Sequence, residues 1–381
     1  MAVQQTLRPY VTAGIAIVGS GLIAATPAAP PMAGPVTRDI VLTDWVEQFN
    51  IAADNATQLL NNFLLAPGVG FQQMLVNQDE FWNSIINDPS TIPAVMQQMQ
   101  EQLDAVLTGF TLINASGEAS LNGFTGTLGE VIVHTISGTD VESQPPTFGH
   151  DLLFALLPQF LPSDQAEFLT PIVNFLASPL SGIIIGSLGP AIAPWVALSN
   201  SISDGDFLNA LPNMVGAYFN GATLNLDWLI PLIEESGLLP MPEGAITSLE
   251  FAFGGLLSGG TVAAGPWQLA DENGDIIASV PAVGGSIFNS LGLGLDAEAA
   301  VGLPLQINIA GQGIGPIGAW LAWDQTVGAL LGSGWDGKGP TVVTPPLFGF
   351  DPIGDDVFDD GGAGAGAATD LQDILAAFLV G

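Results

Sequence analysis

The side chains best suited to acid–base chemistry in this chain are its two histidines, His134 and His150. A hydrolase of the Ser-His-Asp type also needs an exposed nucleophile, and the nucleophile-elbow pattern G-x-S-x-G occurs nowhere in the sequence. His134 lies in a β-like run and is most simply a strand residue. His150 followed by Asp151 is typical of a helix start, where a carboxylate complements the positive end of the helix. The sequence therefore predicts no enzyme and no catalytic residue.

One glycine pattern, Gly313-x-Gly315-x-x-Gly318, formally matches the dinucleotide-binding fingerprint. It follows a strand-like run and precedes a helix, as that fingerprint requires. However, Pro316 occupies the turn, no second parallel strand is predicted to follow, and too little chain remains for a doubly wound sheet. A tight glycine turn explains the pattern better, and we predict no bound cofactor.

A second pattern, Asp271-x-Asn273-x-Asp275, begins like a calcium loop. Ile276 replaces the glycine of such a loop, and Ala282 stands where its bidentate glutamate belongs. An Asn-Gly hairpin turn at the same place accounts for these residues, because that dipeptide is the strongest short-range hairpin signal. The sequence therefore predicts no metal site here.

Two pairs of carboxylates flank the most apolar parts of the chain: Asp204 with Asp206, and Glu234 with Glu235. Rings of carboxylates at a pore mouth select cations. Helix capping accounts for Asp206 equally well. These four residues are the candidate pore-mouth residues, with small cations or hydrophilic solutes as the passing species.

The charge balance of the chain excludes whole classes of partner. The 381 residues include 37 Asp and Glu but only 3 Lys and Arg, giving a formal net charge of −34. The cations are Arg8, Arg38 and Lys338, too few to neutralise phosphates, so nucleic acid and anionic headgroups are excluded as partners. There is no cysteine, hence no disulfide and no thiolate metal site. Because 48% of residues are hydrophobic, the chain can bury a sizeable core.

The first 28 residues predict export. Arg8 gives a weakly positive start, Val11 to Ala25 is apolar, and Thr26-Pro27-Ala28 is a tolerable cleavage site. This pattern is typical of a signal peptide, with an uncleaved N-terminal anchor as the alternative. Residues 29–40 form a proline-rich linker.

From Phe168 to Ser203 the chain carries no Asp, Glu, Lys or Arg. Its prolines, Pro171, Pro179, Pro190 and Pro194, predict short helices and corners, because proline removes a helical donor and clashes with the preceding turn. The stretch is either the buried core of a helical domain or a surface that enters a membrane or contacts sister subunits.

A helical bundle with a β-like segment is predicted over residues 41–145. Its methionine and aromatic stripes are interpreted as core. The first helix is expected to begin at a capping pattern, Asp44 with Glu47, and to end at Pro67-Gly68. The second should begin at the capping pattern Asn77 with Glu80 and end at Asp88-Pro89. The third should run from Ser90 or Thr91 to Gly109, and a strand is expected over Glu130–Ser137.

An apolar helical core is predicted over 146–260, with Asp206 and Asp227 as N-caps and a kink at Pro212. A Gly-rich α+β segment follows over 261–340, and 341–381 is an acidic Gly/Pro tail with a short terminal helix. The fold class is mainly α with a minor β portion (α+β): a multi-helix bundle with Pro-broken apolar helices and a late β-hairpin. It is not a regular transmembrane β-barrel, because the dominant period is helical and strand candidates are few.

The sequence also resembles the GjpA-type outer-membrane porins of mycolic-acid-bearing actinobacteria, and in style other acidic Gly/Ala-rich secreted proteins of mycobacteria. The resembling segments are Leu7–Pro27, Phe175–Pro194, Ala197–Asp206, Phe219–Asp227, Leu249–Gly260, Gly284–Leu293 and Gly311–Trp320.

This resemblance implies residence in the mycolate outer membrane of the cell envelope and formation of a water-filled channel, and it brings no catalytic residues. Because strands are few, we expect helices or a homo-oligomer to build such a pore. The alternative is a soluble or surface-associated secreted helical protein that acts in protein or envelope interaction.

Overall fold

The computed structural model describes residues 45–120, 123–140, 146–160, 166–236, 244–270, 275–296, 306–332 and 341–342. The predicted leader, the linker, Asp44 and the terminal helix lie outside these residues. Helices dominate and the strands form small sheets, which confirms the predicted fold class of mainly α with a minor β portion.

Three long helices open the described chain: α1 (Trp45–Leu65), α2 (Val69–Asn87) and α3 (Ile92–Thr111). The predicted stops at Pro67-Gly68 and Asp88-Pro89 are confirmed. The capping pattern at Asn77 was wrong, because Asn77 lies inside α2, where its buried amide donates a hydrogen bond to the carbonyl of Leu331 (2.9 Å). A short 3-10 turn, Pro89–Thr91, joins α2 to α3, and Asp88 accepts a hydrogen bond there from the Ser90 N–H (2.9 Å).

The strand predicted over Glu130–Ser137 was wrong. A two-stranded hairpin, β1 (Ala119–Ser120) with β2 (Gly123–Phe124), leads instead into the short helix α4 (Gly126–Ile132) and a buried turn. Every residue from 131 to 137 is buried. A short run of β-branched residues that is buried on all sides has the same apolar pattern in a helix as in a strand. The residue pattern therefore could not distinguish the two conformations.

The uncharged stretch forms two helices, α6 (Ala166–Leu176) and α7 (Pro179–Ser203), after α5 (His150–Phe160). The prediction that prolines would break this stretch into short pieces was wrong for α7, which runs continuously through Pro190 and Pro194. Pro179 occupies the first position of α7, where its missing N–H costs nothing. Ser178 caps this helix by accepting a hydrogen bond from the Ser181 N–H (3.2 Å).

After α7 come α8 (Ala210–Asn220), strand β3 (Ala222–Asn225), a 3-10 turn at Asp227–Leu229, and α9 (Ile230–Ser236). The kink expected at Pro212 does not arise, because this proline lies in the first turn of α8, where its N–H would have no helical partner. Asp206 and Asp227 were also predicted wrongly as N-caps. The cap of α8 is Asn209, and Asp227 is the first residue of the 3-10 turn, whose cap is Leu226.

The later half of the chain supplies the main sheets. Strands β3, β4 (Ile246–Phe253), β7 (Leu291–Asp296) and β8 (Gln306–Ile309) form an antiparallel sheet in that order. Strands β5 (Trp267–Ala270) and β6 (Ile276–Val280) pair antiparallel, as the Asn-Gly signal predicted, and β9 (Thr341–Val342) adds in parallel to β5. The short helix α10 (Ile287–Ser290) precedes β7, and α11 (Pro316–Leu330) follows β8.

Glycines let α7 approach the glycine-rich loops closely. A Cβ on Gly182 would collide with the carbonyl oxygen of Gly285, and one on Gly189 with that of Gly254. At Gly186 it would lie 3.0 Å from the carbonyl oxygen of Gly315. These glycines therefore form a seam that buries one face of α7 against backbone.

Candidate functional site

The opposite face of α7 is exposed and apolar. Ile184, Leu188, Trp195 and Ile202 recur at helical spacing along it, and 50% of Leu188 and 66% of Trp195 are exposed. These positions span about 27 Å at 1.5 Å per residue, close to the roughly 30 Å of a bilayer's hydrocarbon core. No charged residue interrupts the helix. In the part of the chain that the structure describes, α7 alone is long and apolar enough to cross a membrane, and half of its most apolar 18-residue window is buried.

The first pair of predicted pore-mouth carboxylates follows α7 directly. Asp204 is exposed at the C-terminal end of the helix. Asp206 is half-buried and accepts a hydrogen bond from the Asn209 side-chain amide (3.1 Å). Both residues thus lie in the turn between α7 and α8.

The second pair lies on α9. Glu234 is half-buried and accepts a hydrogen bond from the Gly244 N–H (2.8 Å), whereas Glu235 is exposed. Among the described residues, no hydrogen bond joins this pair to the first pair, and no three acidic or histidine side chains converge into a metal site. A ring built from these carboxylates therefore requires several copies of the chain.

The structure brings together a serine and a histidine that the sequence did not connect. The Ser137 hydroxyl lies 2.8 Å from Nδ1 of His150, and Nε2 of His150 lies 2.6 Å from the Leu291 carbonyl oxygen. Burial lowers the pKa of His150, although its hydrogen bond to Leu291 and the nearby Asp151 charge oppose this shift. Phe288 packs edge-on against the imidazole ring (6.0 Å between centroids).

This arrangement is that of a buried structural pair. Ser137 and His150 are both buried, and the Ser137 hydroxyl also accepts a hydrogen bond from the His150 backbone N–H (3.1 Å). The Asp151 carboxylate accepts hydrogen bonds from Thr139, through its N–H (2.9 Å) and its hydroxyl (2.5 Å), and so does not orient the imidazole.

His134 is fully buried, and desolvation lowers its pKa to about 3. It lies in the turn after α4 and not in a strand. The imidazole is therefore neutral at physiological pH and serves as part of the core.

An open apolar cleft of about 540 Å³ lies between α1 and α11. It is lined by Phe63, Gly68, Leu256, Pro316, Ile317, Trp320, Leu321 and Asp324. Burial raises the pKa of Asp324, while hydrogen bonds from the backbone N–H groups of Gly70 and Val69 act against that rise. Asp324 thereby caps the N-terminus of α2, whose own cap residue, Gly68, has no side chain to do so.

The methionine stripe of α3, which the sequence indicated as core, is exposed. In this stripe Val95 is buried and Val106 half-buried, whereas Met96, Met99, Leu103 and Leu107 face solvent. Helical periodicity showed that these side chains share a face, but it contained no information about what covers that face.

No protein-family model, curated protein or solved structure matches the chain.

Proposed function

We propose that this chain is an exported cell-envelope protein that forms a porin-like, cation-preferring channel as an assembly of several copies, without catalysis. The observation that carries the proposal is the two-sided character of α7. One face is fixed to the protein core by the glycine seam, and the other presents an uncharged apolar surface about as long as a bilayer's hydrocarbon core is thick.

Several copies are needed for physical reasons. A single membrane-length helix cannot enclose a water-filled path, and the described strands form only small open sheets. Backbone polar groups at membrane depth must be satisfied by protein or by water. Assembly of α7 helices from several copies would meet both requirements and would repeat the carboxylates of the α7–α8 turn around an axis.

The charge of the chain supports a preference for cations. All three cationic side chains lie outside the described residues, so the surface that the structure describes carries carboxylates and no Lys or Arg. A pore lined by this surface would attract cations and repel anions.

The test is conductance of the purified full chain in a planar bilayer, compared with the variant Leu188→Glu. Introducing a charge at the centre of a membrane helix costs about 3 kcal/mol, so we expect channel appearance to fall roughly a hundredfold. Ala53→Glu is the matched control, because it places the same carboxylate at an exposed position of α1. Equal activity of the two variants would exclude a lipid or subunit contact for the exposed face of α7.

Wild-type protein that remains monomeric and soluble without detergent and gives no conductance steps would contradict the channel itself. That result would favour a secreted helical interaction protein.

Ion selectivity tests the second part of the proposal. The double change Glu234→Gln plus Glu235→Gln should reduce the cation-over-anion permeability ratio. The double change Glu118→Gln plus Glu167→Gln removes two exposed carboxylates elsewhere and should leave the ratio unchanged. If selectivity is the same in both double variants, Glu234 and Glu235 do not lie at the constriction.

A further inference from the structure

The helices α2 and α3 form a hairpin that projects from the body of the protein; we call it the arm (Val69–Thr111). Its base is fixed to α11, because the Asn77 amide bonds the Leu331 carbonyl and Gly109 packs against the Leu330 side chain. From residue 82 to residue 94, every residue is exposed except two that are half-buried. The outer half of the arm therefore has almost no contact with the rest of the described chain.

The α3 side of the arm carries an apolar stripe that the described residues leave uncovered. Its exposed members follow one another at intervals of three or four residues: Ile92, Met96, Met99, Leu103 and Leu107. Positions three and four apart share one face of a helix. The stripe extends about 23 Å at 1.5 Å per residue, which is enough to seat some four turns of a second helix.

The α2 side carries a second exposed stripe, and this one contains a carboxylate. Leu75, Trp82 and Ile86 lie on one face of α2, with 56% of Trp82 and 73% of Ile86 exposed. Asp79 falls on the same face, four residues after Leu75 and three before Trp82. Its carboxylate accepts a hydrogen bond from the Asn83 side-chain amide (2.9 Å).

The carboxylates of the arm indicate whether lipid, a second copy of the chain or another protein would cover these stripes. Insertion into lipid would carry the Asp79 charge into hydrocarbon, which is costly. Asp88 at the tip also opposes insertion, because its hydrogen bonds with Ser90 lower the pKa of this carboxyl and keep it ionised. A second copy would bring another acidic surface, since the described residues include no Lys or Arg. A partner that is apolar in the middle and cationic at the edge satisfies both requirements.

We propose that the arm is a docking surface for a basic amphipathic helix of another protein. The apolar face of that helix would pack on the α3 stripe, and its Lys or Arg side chains would pair with Asp79. Methionine suits this role because its unbranched, polarisable side chain adapts to different surfaces. Recognition of an amphipathic helix through apolar anchors at such spacing is a recurrent mode of peptide binding. The inference is independent of channel formation.

The test uses the purified full chain, in buffer if it is soluble and in nanodiscs of zwitterionic lipid if it is not. Its ligand is a labelled synthetic helix of about 16 residues, the length that matches the α3 stripe. The helix has a Leu face and a Lys face, and its analogue carries Glu in place of Lys. Fluorescence anisotropy should show binding of the Lys peptide only, with empty nanodiscs as the blank. Comparable binding of the Glu peptide, or no binding of the Lys peptide, would overturn the proposal.

Matched variants locate the contact. Asp79→Asn should weaken binding of the Lys peptide about threefold, as for an exposed ion pair. Glu80→Gln removes the neighbouring carboxylate, which lies about 100° around the helix from Asp79, and should leave binding unchanged. Leu103→Ser should weaken binding about tenfold through lost apolar burial, whereas Gln98→Ser, exposed on another face of α3, should not. All four positions are exposed, so folding is retained, and circular dichroism verifies it.

Two further results would each replace this partner with another. The first is flotation of the detergent-free full chain with phosphatidylcholine vesicles. If Trp82→Ser abolishes this flotation, the arm binds lipid. Cross-links between Met99→Cys sites of two copies would assign it to self-association. In either case the basic helix is wrong, and the conductance tests of α7 are unaffected.

Discussion

The hydroxyl of Ser137 and Nδ1 of His150 lie 2.8 Å apart inside the protein, and they fix the tautomer of the imidazole. The Ser137 oxygen accepts the His150 backbone N–H and donates its own proton to Nδ1, while Nε2–H donates to the Leu291 carbonyl. Every polar atom of the ring is thus used in the neutral state. This pair connects the turn after α4, the start of α5 and the start of β7.

Acidification should destabilise the fold through the two buried histidines. The pKa of His134 is lowered from 6.5 to about 3 by burial, so the unfolded chain takes up a proton at a pH where the native state does not. The penalty is absent above pH 6.5 and grows as pH falls, reaching on the order of 5 kcal/mol near pH 3. His150 adds a penalty of the same sign, because its pKa is also lowered.

The measurement is urea unfolding at a series of pH values, in detergent if the chain requires it. His134→Gln should flatten the dependence of the unfolding free energy on pH between 6.5 and 3, and His150→Gln should flatten it less. A free energy of unfolding that is constant over this range in the wild-type protein would show that these histidines are accessible to protons in the native state.

The Asn289 side chain bonds two chain segments at once, so its replacement should lower the free energy of unfolding substantially. Its side-chain oxygen accepts a hydrogen bond from the Ser137 N–H (2.7 Å), and its amide donates to the Thr261 carbonyl (2.9 Å). Asn289→Ala leaves the buried Ser137 N–H without its partner and removes the bond to the carbonyl of the exposed Thr261, and we expect a loss of about 2 kcal/mol. Asn200→Ala, which breaks a hydrogen bond to Thr223 at the surface, should cost below about 1 kcal/mol. Equal losses in thermal unfolding would contradict the importance of burial here.

Asp324 should be a source of instability at neutral pH. Because its pKa is raised by burial, the ionised form is less favourable in the native state than in the unfolded chain. Asp324→Asn keeps an oxygen to accept from the N–H groups at the start of α2 and removes the buried charge. We therefore expect the variant to be more stable than wild type at pH 7, with the difference shrinking as pH falls towards 4. A variant that is less stable at pH 7 would show that the carboxylate–helix interaction outweighs desolvation.

The glycine seam predicts a steep cost for a single methyl group. Gly189→Ala would force the new Cβ against the Gly254 carbonyl, which is backbone and cannot rotate away. We expect a loss of about 3 kcal/mol, as for overpacking of a core. Ser187→Ala on the exposed side of the same helix is the control and should be near neutral. If the two variants unfold at the same temperature, α7 is not packed as closely as the seam requires.

Local signals in the sequence sufficed where local chemistry decides the structure. Pro67-Gly68 and Asp88-Pro89 ended helices because proline and a left-handed glycine act on their own residues. The antiparallel pairing of β5 with β6 agrees with the Asn-Gly signal in the sequence between them. The helical stripes were also identified correctly as sets of residues that share a face.

The sequence did not indicate which other parts of the chain pack around each helix and strand. Pro190 and Pro194 were expected to break α7, yet a helix fixed by tertiary packing along its glycine face tolerates them, since packing contributes more than propensity. The buried run at residues 131–137 has no polar alternation to reveal its conformation. For Met96 and Met99, nothing local distinguishes a core stripe from one that awaits a partner. The Ser137–His150 contact joins residues on different elements, so no spacing rule indicates it.

Self-association should strengthen as salt is added. With a net charge of −34 and no Lys or Arg among the described residues, two copies repel one another wherever their surfaces meet. Salt screens this repulsion, because the Debye length falls from about 30 Å at 0.01 M to about 3 Å at 1 M. Apolar contacts between copies, such as those we propose for Leu188 and Trp195, are not weakened by screening. Sedimentation velocity in a fixed detergent, at low and high NaCl, should therefore show a larger oligomer fraction at high salt, and Leu188→Glu should suppress it. An assembly that dissociates on adding salt would require opposite charges at the interface, which this surface does not offer.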